Sequence, residues 1–279
     1  MKLTAKQFRD SPNKAVTLLG MSGVGKTTFG SKLPRTTWYH YSGDYRIGTK
    51  YLNEPILDEI KRKAMQVEYL KDLLLSDSIY IRNNITIDHL HPISCFLGKI
   101  GNRDQGGLRV EEFKRRQALF RAAEVRSMED VTDFMLKANT IYGYPHFLND
   151  AGGSICCLSD DECWTALSAS TVVLYLHASD QMEQTLVERA QNKPKPLFYE
   201  NDFLDIHLER YVEERGLAST EEIIPDDFVQ WVFPALVNYR KPQYERIATQ
   251  YGHVVEAEKI FDLRDEKDIV DLICDSMDG

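Results

Sequence analysis

Eight consecutive residues, Gly20-Met21-Ser22-Gly23-Val24-Gly25-Lys26-Thr27, constrain this chain more than any others. They satisfy Gly-x-x-x-x-Gly-Lys-[Ser/Thr] in full. The glycines let the backbone wrap closely around phosphate oxygens and aim several N–H donors at them from a helix N-terminus. Such a loop needs a strand before it and a helix after it. Ala15-Val16-Thr17-Leu18-Leu19 is an apolar run of strand length, and Lys26 to Leu33 reads as a helix closed by Pro34. Gly20, Ser22, Gly23, Val24, Gly25, Lys26, Thr27 and Thr28 are therefore the expected phosphate contacts. Lys26 suits the β- and γ-phosphates, and the Thr27 hydroxyl suits Mg²⁺.

The rest of the chain alternates strands and helices. Trp38–Ser42, His146–Asp150, the β-branched run Thr171–Leu176 and His253–Val255 read as strands. Helical spacing covers 56–75, about 110–140, 180–190, 203–216, 226–238, 242–251 and 269–276, while Ser78–Ile87 reads as a strand or hairpin. The expectation is a three-layer α/β fold with a mainly parallel sheet of about five strands and helical insertions.

Composition narrows the class. The 279 residues carry 34 Lys and Arg against 43 Asp and Glu, a net charge of −9, which argues against a protein that coats nucleic acid. No apolar run reaches the ~18 residues of a membrane span, and the opening residues lack the apolar core of a secretory signal, so a cytoplasmic location is expected. The five cysteines (Cys95, Cys156, Cys157, Cys163 and Cys274) lack C-x-x-C spacing and read as reduced thiols. His89 and His91 have no third metal ligand in view. The apolar segment Trp231–Tyr239 reads as core.

Beyond the loop, the order of several short matches resembles the shikimate kinase branch of P-loop small-molecule kinases. Phe120-Arg121-Ala122-Ala123-Glu124 fits that family's F-R-x-x-E stretch, and Asp150-Ala151-Gly152-Gly153 is similar to its strand ending in glycines. Arg189 and Lys195-Pro196-Leu197-Phe198 resemble its lid arginine and R-P-L-L, with Lys in place of Arg; Arg240, Tyr244 and Ala248 resemble its last helix. The family's D-x-D pair is only half kept, since Ser42-Gly43-Asp44 retains the second aspartate. The likeness covers about 1–48, 113–200 and 239–279 and fails across 49–112 and about 200–238. The expected organisation is thus a core of 1–48 and 113–279, enlarged on its lid side at 200–238, carrying a substrate-side insertion at 49–112.

The resemblance implies ATP and Mg²⁺ as cosubstrate and cofactor, and phosphoryl transfer to a small hydroxylated acceptor that it does not identify. Asp44 would orient the acceptor and Asp150 would assist Mg²⁺. Arg189 would close over the γ-phosphate from a cationic lid at 189–198, with Lys195 beside it. Arg46, Arg121, Gly152, Gly153 and Arg240 are the remaining acceptor-side candidates. Two alternatives stay open: an ATPase or ATP-regulated switch acting on a partner protein, and a nucleoside or polynucleotide kinase, against which the overall acidity weighs.

Overall fold

The computed structural model describes residues 3–157 and 161–278; Met1, Lys2, residues 158–160 and Gly279 lie outside them. In chain order the elements begin α1 (Ala5–Asp10), β1 (Ala15–Leu19), α2 (Lys26–Ser31), β2 (Trp38–Ser42) and α3 (Gly43–Arg46). A π-turn over Ile47–Tyr51 leads to α4 (Asn53–Ala64), α5 (Glu68–Leu75), α6 (His91–Leu97) and the 31-residue α7 (Val110–Thr140). Then come β3 (His146–Asp150), α8 (Asp161–Ser170), β4 (Val172–His177), α9 (Asp180–Asn192) and α10 (Asn201–Arg215). The chain closes with α11 (Pro225–Tyr251), β5 (Gly252–Glu256), α12 (Lys259–Asp262) and α13 (Glu266–Asp278).

All five strands form one parallel sheet in the order β2-β3-β1-β4-β5, which is the expected α/β class. Successive strand residues face opposite sides of a sheet. Leu148 packs toward Gly30 of α2, whereas its neighbour Asn149 reaches the Met128 sulfur of α7, so helices cover both faces and the sheet is the middle of three layers. Burial on both sides explains why Val172–Leu176 is a continuous apolar run rather than an alternating one.

The residues group into two compact units. The first comprises residues 1–43, 124–194 and 230–279; the second comprises 44–123 and 195–229. The second thus takes in residues 49–112 together with flanking chain on both sides and most of the 200–238 stretch.

Three readings of local structure change. The helical spacing over 56–75 is two helices, α4 and α5, broken at Met65–Val67. The segment 78–87 forms no strand and pairs only through a single bridge from Thr86 to His89. The stretches 226–238 and 242–251 are one helix, α11, running through Pro234 and Pro242.

Within the second unit, Arg116 of α7 is the buried joint. Its guanidinium lies 2.6 Å from Glu112 Oε1 and 3.1 Å from Glu59 Oε1 of α4, and donates to the Phe96 carbonyl of α6 at 2.7 Å. Glu112 is pulled down to about 2 by its hydrogen bond with Arg115 first, with Arg116 adding to it against partial burial. A carboxylate depressed in the folded state contributes stability that is present above its ordinary value of 4.5 and lost as pH falls toward 2. Circular dichroism between pH 5 and 2 should therefore show acid loss of helix, and Glu112→Gln should flatten that dependence. An identical acid profile in the variant would assign the acid lability to other groups.

Candidate functional site

The site is built outward from the loop between β1 and α2. Gly20, Gly23 and Gly25 take φ of 149°, 88° and 110°, a region that side chains oppose and glycine permits. Val24 is fully buried and anchors the loop in the core, while Ser22 and Thr27 stay exposed and Thr28 half-buried. Lys26 opens α2, and its ammonium folds back over the loop to donate to the Gly20 carbonyl at 2.7 Å and the Met21 carbonyl at 3.1 Å. That places a cation and the amides of a helix start in one concave turn.

Beside it opens a cavity of about 450 Å³. Gly23, Gly25 and Thr28 form one wall; Met182, Leu186 and Arg189, four and three residues apart on α9, form a second. Glu258 and Phe261, just past β5, complete it. Ser179 caps α9 through Met182 N at 3.3 Å, and its own N–H donates to Glu258 Oε1 at 3.1 Å, as does its hydroxyl. Partial burial pushes the Glu258 carboxyl up, but these hydrogen bonds outweigh it and hold the group below its ordinary range. Arg189 is exposed, and among the described residues its guanidinium has no ion-pair partner.

A second loop meets the first. Asp150 ends β3 half-buried, in register with Leu18 of β1 and Ser42 of β2, at the carboxyl edge of the sheet. Gly153 follows so closely against the phosphate loop that a Cβ there would sit 3.2 Å from Ser22 N. The Gly153 carbonyl accepts from Arg240 Nη1 at 3.3 Å and from the Tyr244 hydroxyl, two groups one turn apart on α11. The next residue, Ser154, donates to buried Glu124 Oε1 at 2.6 Å. Burial opposes the charge on Arg240, yet the neighbouring Cys157, Cys156, Tyr244 and Glu124 outweigh it and keep the guanidinium pKa above its usual value. Burial and the adjacent Cys157 thiol push Cys156 well up, so it is a protonated core thiol.

The first unit thus brings together Gly20–Thr28, Asp150, Gly152, Gly153, Arg189 and Arg240. Arg240 is a brace for the Gly153 loop here. Asp44, Arg46, Arg121 and Lys195 belong to the second unit. Asp44 lies half-buried in the first turn of α3, two residues beyond β2. Arg46 lies over the Tyr51 ring at 5.8 Å and Arg121 over the Phe198 ring at 5.9 Å. Lys195 is exposed in irregular chain.

The 189–198 segment is not one loop. Arg189 stands in the last turn of α9, and at the other end Gln117 holds the Leu197 carbonyl at 3.2 Å and Tyr199 N at 2.9 Å. The five cysteines are free thiols, Cys95 exposed and the other four buried. His89 bonds Thr86 and His91 lies 3.2 Å from the Cys95 sulfur. Among the described residues no three His, Cys, Asp or Glu side chains are grouped to hold a metal ion, and no helix is long and apolar enough to cross a membrane.

Ser179, Met182, Leu186, Glu258 and Phe261 are among the parts of the site that sequence reasoning missed. A serine before an acidic helix start is a readable cap signal; nothing local ties it to a residue 79 positions later.

A parallel sheet with this loop after its central strand defines the molecule as an α/β protein carrying a P-loop motif. No protein-family model matches the chain, and comparison with curated proteins gives no match. Among solved structures, the 1.7 Å shikimate kinase of Bacteroides thetaiotaomicron is similar over 93% of this chain and 94% of its own, at 13% identity and a TM-score of 0.38.

Proposed function

We propose that the protein is a Mg-ATP-dependent phosphotransferase acting on a small hydroxylated acceptor. The observation carrying this reading is the complete Gly20–Thr27 loop, with Lys26 folded over it, opening onto a cavity that shares its glycines. The triphosphate lies along Gly20, Ser22, Gly23, Val24, Gly25, Lys26, Thr27 and Thr28. The base enters the adjoining cavity, where Met182, Leu186 and the exposed Phe261 ring supply apolar contact.

The residues present fit Mg²⁺, since hard cations take oxygen ligands and usually keep several waters and substrate phosphates. Thr27 and Asp150 are the side chains to hold it, and the ion would neutralise charge on the β- and γ-phosphates. This also suits a site without a dedicated cage of side chains.

Arg189 meets the transferring phosphoryl from the α9 wall. Asp44 orients the acceptor hydroxyl and takes its proton. Its support is its place two residues past β2, beyond the carboxyl end of a parallel strand, where such folds bind ligands. Arg46, Arg121 and Lys195 are secondary candidates for an anionic acceptor or the phosphates.

Isothermal titration with Mg-ATP tests the premise. Wild type should bind, and Lys26→Ala should bind at least ten-fold more weakly. Equal binding by both would remove the nucleotide site. Turnover that needs no acceptor across a panel of hydroxylated metabolites would move the reading to an ATPase or ATP-regulated switch; transfer to nucleosides or oligonucleotide ends would move it to that kinase class.

A further inference from the structure

A second cleft lies in the first unit, away from the phosphate loop, with a volume of about 550 Å³. Arg9, Lys14, Lys32, Arg264 and Lys267 all line it, a concentration of positive charge that a chain of net charge −9 does not produce by composition. Lys14 immediately precedes β1, whereas the phosphate loop immediately follows it. At ~3.3 Å per residue the five residues of β1 separate the two by about 16 Å, so this cleft lies at the amino edge of the sheet.

The cleft also holds two carboxylates, Asp265 and Glu266, and both are already engaged. Asp265 Oδ1 caps α13, accepting from Lys267 N at 2.9 Å and Asp268 N at 3.1 Å. Glu266 Oε1 accepts from the Trp38 indole at 2.7 Å and lies 3.8 Å from His146 Nε2. Two of the cations are engaged as well: Arg9 pairs with Asp271, and Lys14 donates to the Ser11 carbonyl at 2.7 Å. The side chains of Lys32, Arg264 and Lys267 have no partner among the described residues. Lys32 is only half-exposed, so part of its hydration is already lost.

We propose that this cleft binds a small anion bearing two or more phosphate groups. Three uncommitted cations around one concave space match a multiply charged ligand, and Arg264 adds the planar fork that pairs with phosphate oxygens in a bidentate way. The proposal is independent of the nucleotide reading, because none of its residues belongs to the phosphate loop.

Inorganic tripolyphosphate is the probe, titrated calorimetrically into Lys26→Ala protein so that the phosphate loop contributes little. Saturable binding is expected, weakened at least ten-fold by Arg264→Glu and by Lys32→Glu, and weakened by added salt. Hydrogen exchange should show protection at 264–268 on adding the probe. Lys267→Gln, an exposed and milder change, should weaken binding several-fold while leaving the circular dichroism unchanged, which guards against a variant that fails to fold. Mg-ATP binding in protein with an intact Lys26 should not change with Lys32→Glu or Arg264→Glu. Absence of binding to Lys26→Ala protein, or binding indifferent to all three substitutions, overturns the proposal. Neither result touches the Mg-ATP titration, so the two readings fail separately.

Discussion

Arg116→Ala is expected to destabilise the second unit by about 3–5 kcal/mol, the usual cost of removing one partner from a buried ion pair. Its side chain is 2% exposed and that of Glu59 is 12% exposed, so water replaces little of what is lost. The substitution leaves Glu59 without its buried cation and the Phe96 carbonyl without its donor, and it empties the volume that joins α4, α6 and α7. Arg115 supplies the control: it pairs with the same Glu112 but is 55% exposed, and Arg115→Ala should cost no more than ~1 kcal/mol. Urea unfolding of the two variants compares them directly. Equal losses would mean that the buried pair contributes no more than a surface one.

Arg189→Ala is expected to lower turnover by about 10²–10³ while changing Mg-ATP affinity only a few-fold, the pattern of a charge used mainly in the transition state. The structural grounds are its place on the cavity wall with Gly23, Gly25 and Thr28, and a guanidinium not committed to another side chain among the described residues. Arg240→Ala should differ: it removes a brace from the Gly153 carbonyl and should change stability as well as rate. Calorimetric affinity and steady-state kinetics on both variants separate the roles. If Arg189→Ala turns over normally, the closing cation is not on α9.

The sheet and phosphate loop were legible because each is a local pattern. A five-residue, mostly apolar run before a glycine, and a lysine-threonine pair opening a helix, need no tertiary information. The errors lie where packing overrides pattern. Met65 and Val67 continue the apolar spacing of α4 into α5, but both are exposed in the turn between them, and periodicity cannot report exposure. Residues 78–87 have strand-forming side chains without a neighbouring strand to pair with, and β-propensity is realised only against a partner. α11 carries both Pro234 and Pro242, and the sequence reading breaks only between 238 and 242, just ahead of the second. Buried Val232 and Leu236 on one side and Tyr244, Ile247 and Ala248 on the other keep the helix packed across them. In the site, the sequence offers the charge of Arg240 but not its contacts, and only the fold shows its hydrogen bond to the Gly153 carbonyl.

The strand order carries a cost during synthesis. β1 and β2 leave the ribosome early, but they are not neighbours: β3, beginning at His146, lies between them, and β4, beginning at Val172, covers the other edge of β1. At ~5–20 residues per second, β1 waits on the order of 10 s with both hydrogen-bonding edges open. The residues left open are Val16, Leu18 and Leu19, all fully buried in the finished sheet. A nascent chain stalled before His146 therefore exposes an apolar strand whose two sheet neighbours are not yet translated. Chains of that length should engage holding chaperones strongly, and release from them should follow the emergence of residues 146–177 rather than of the phosphate loop.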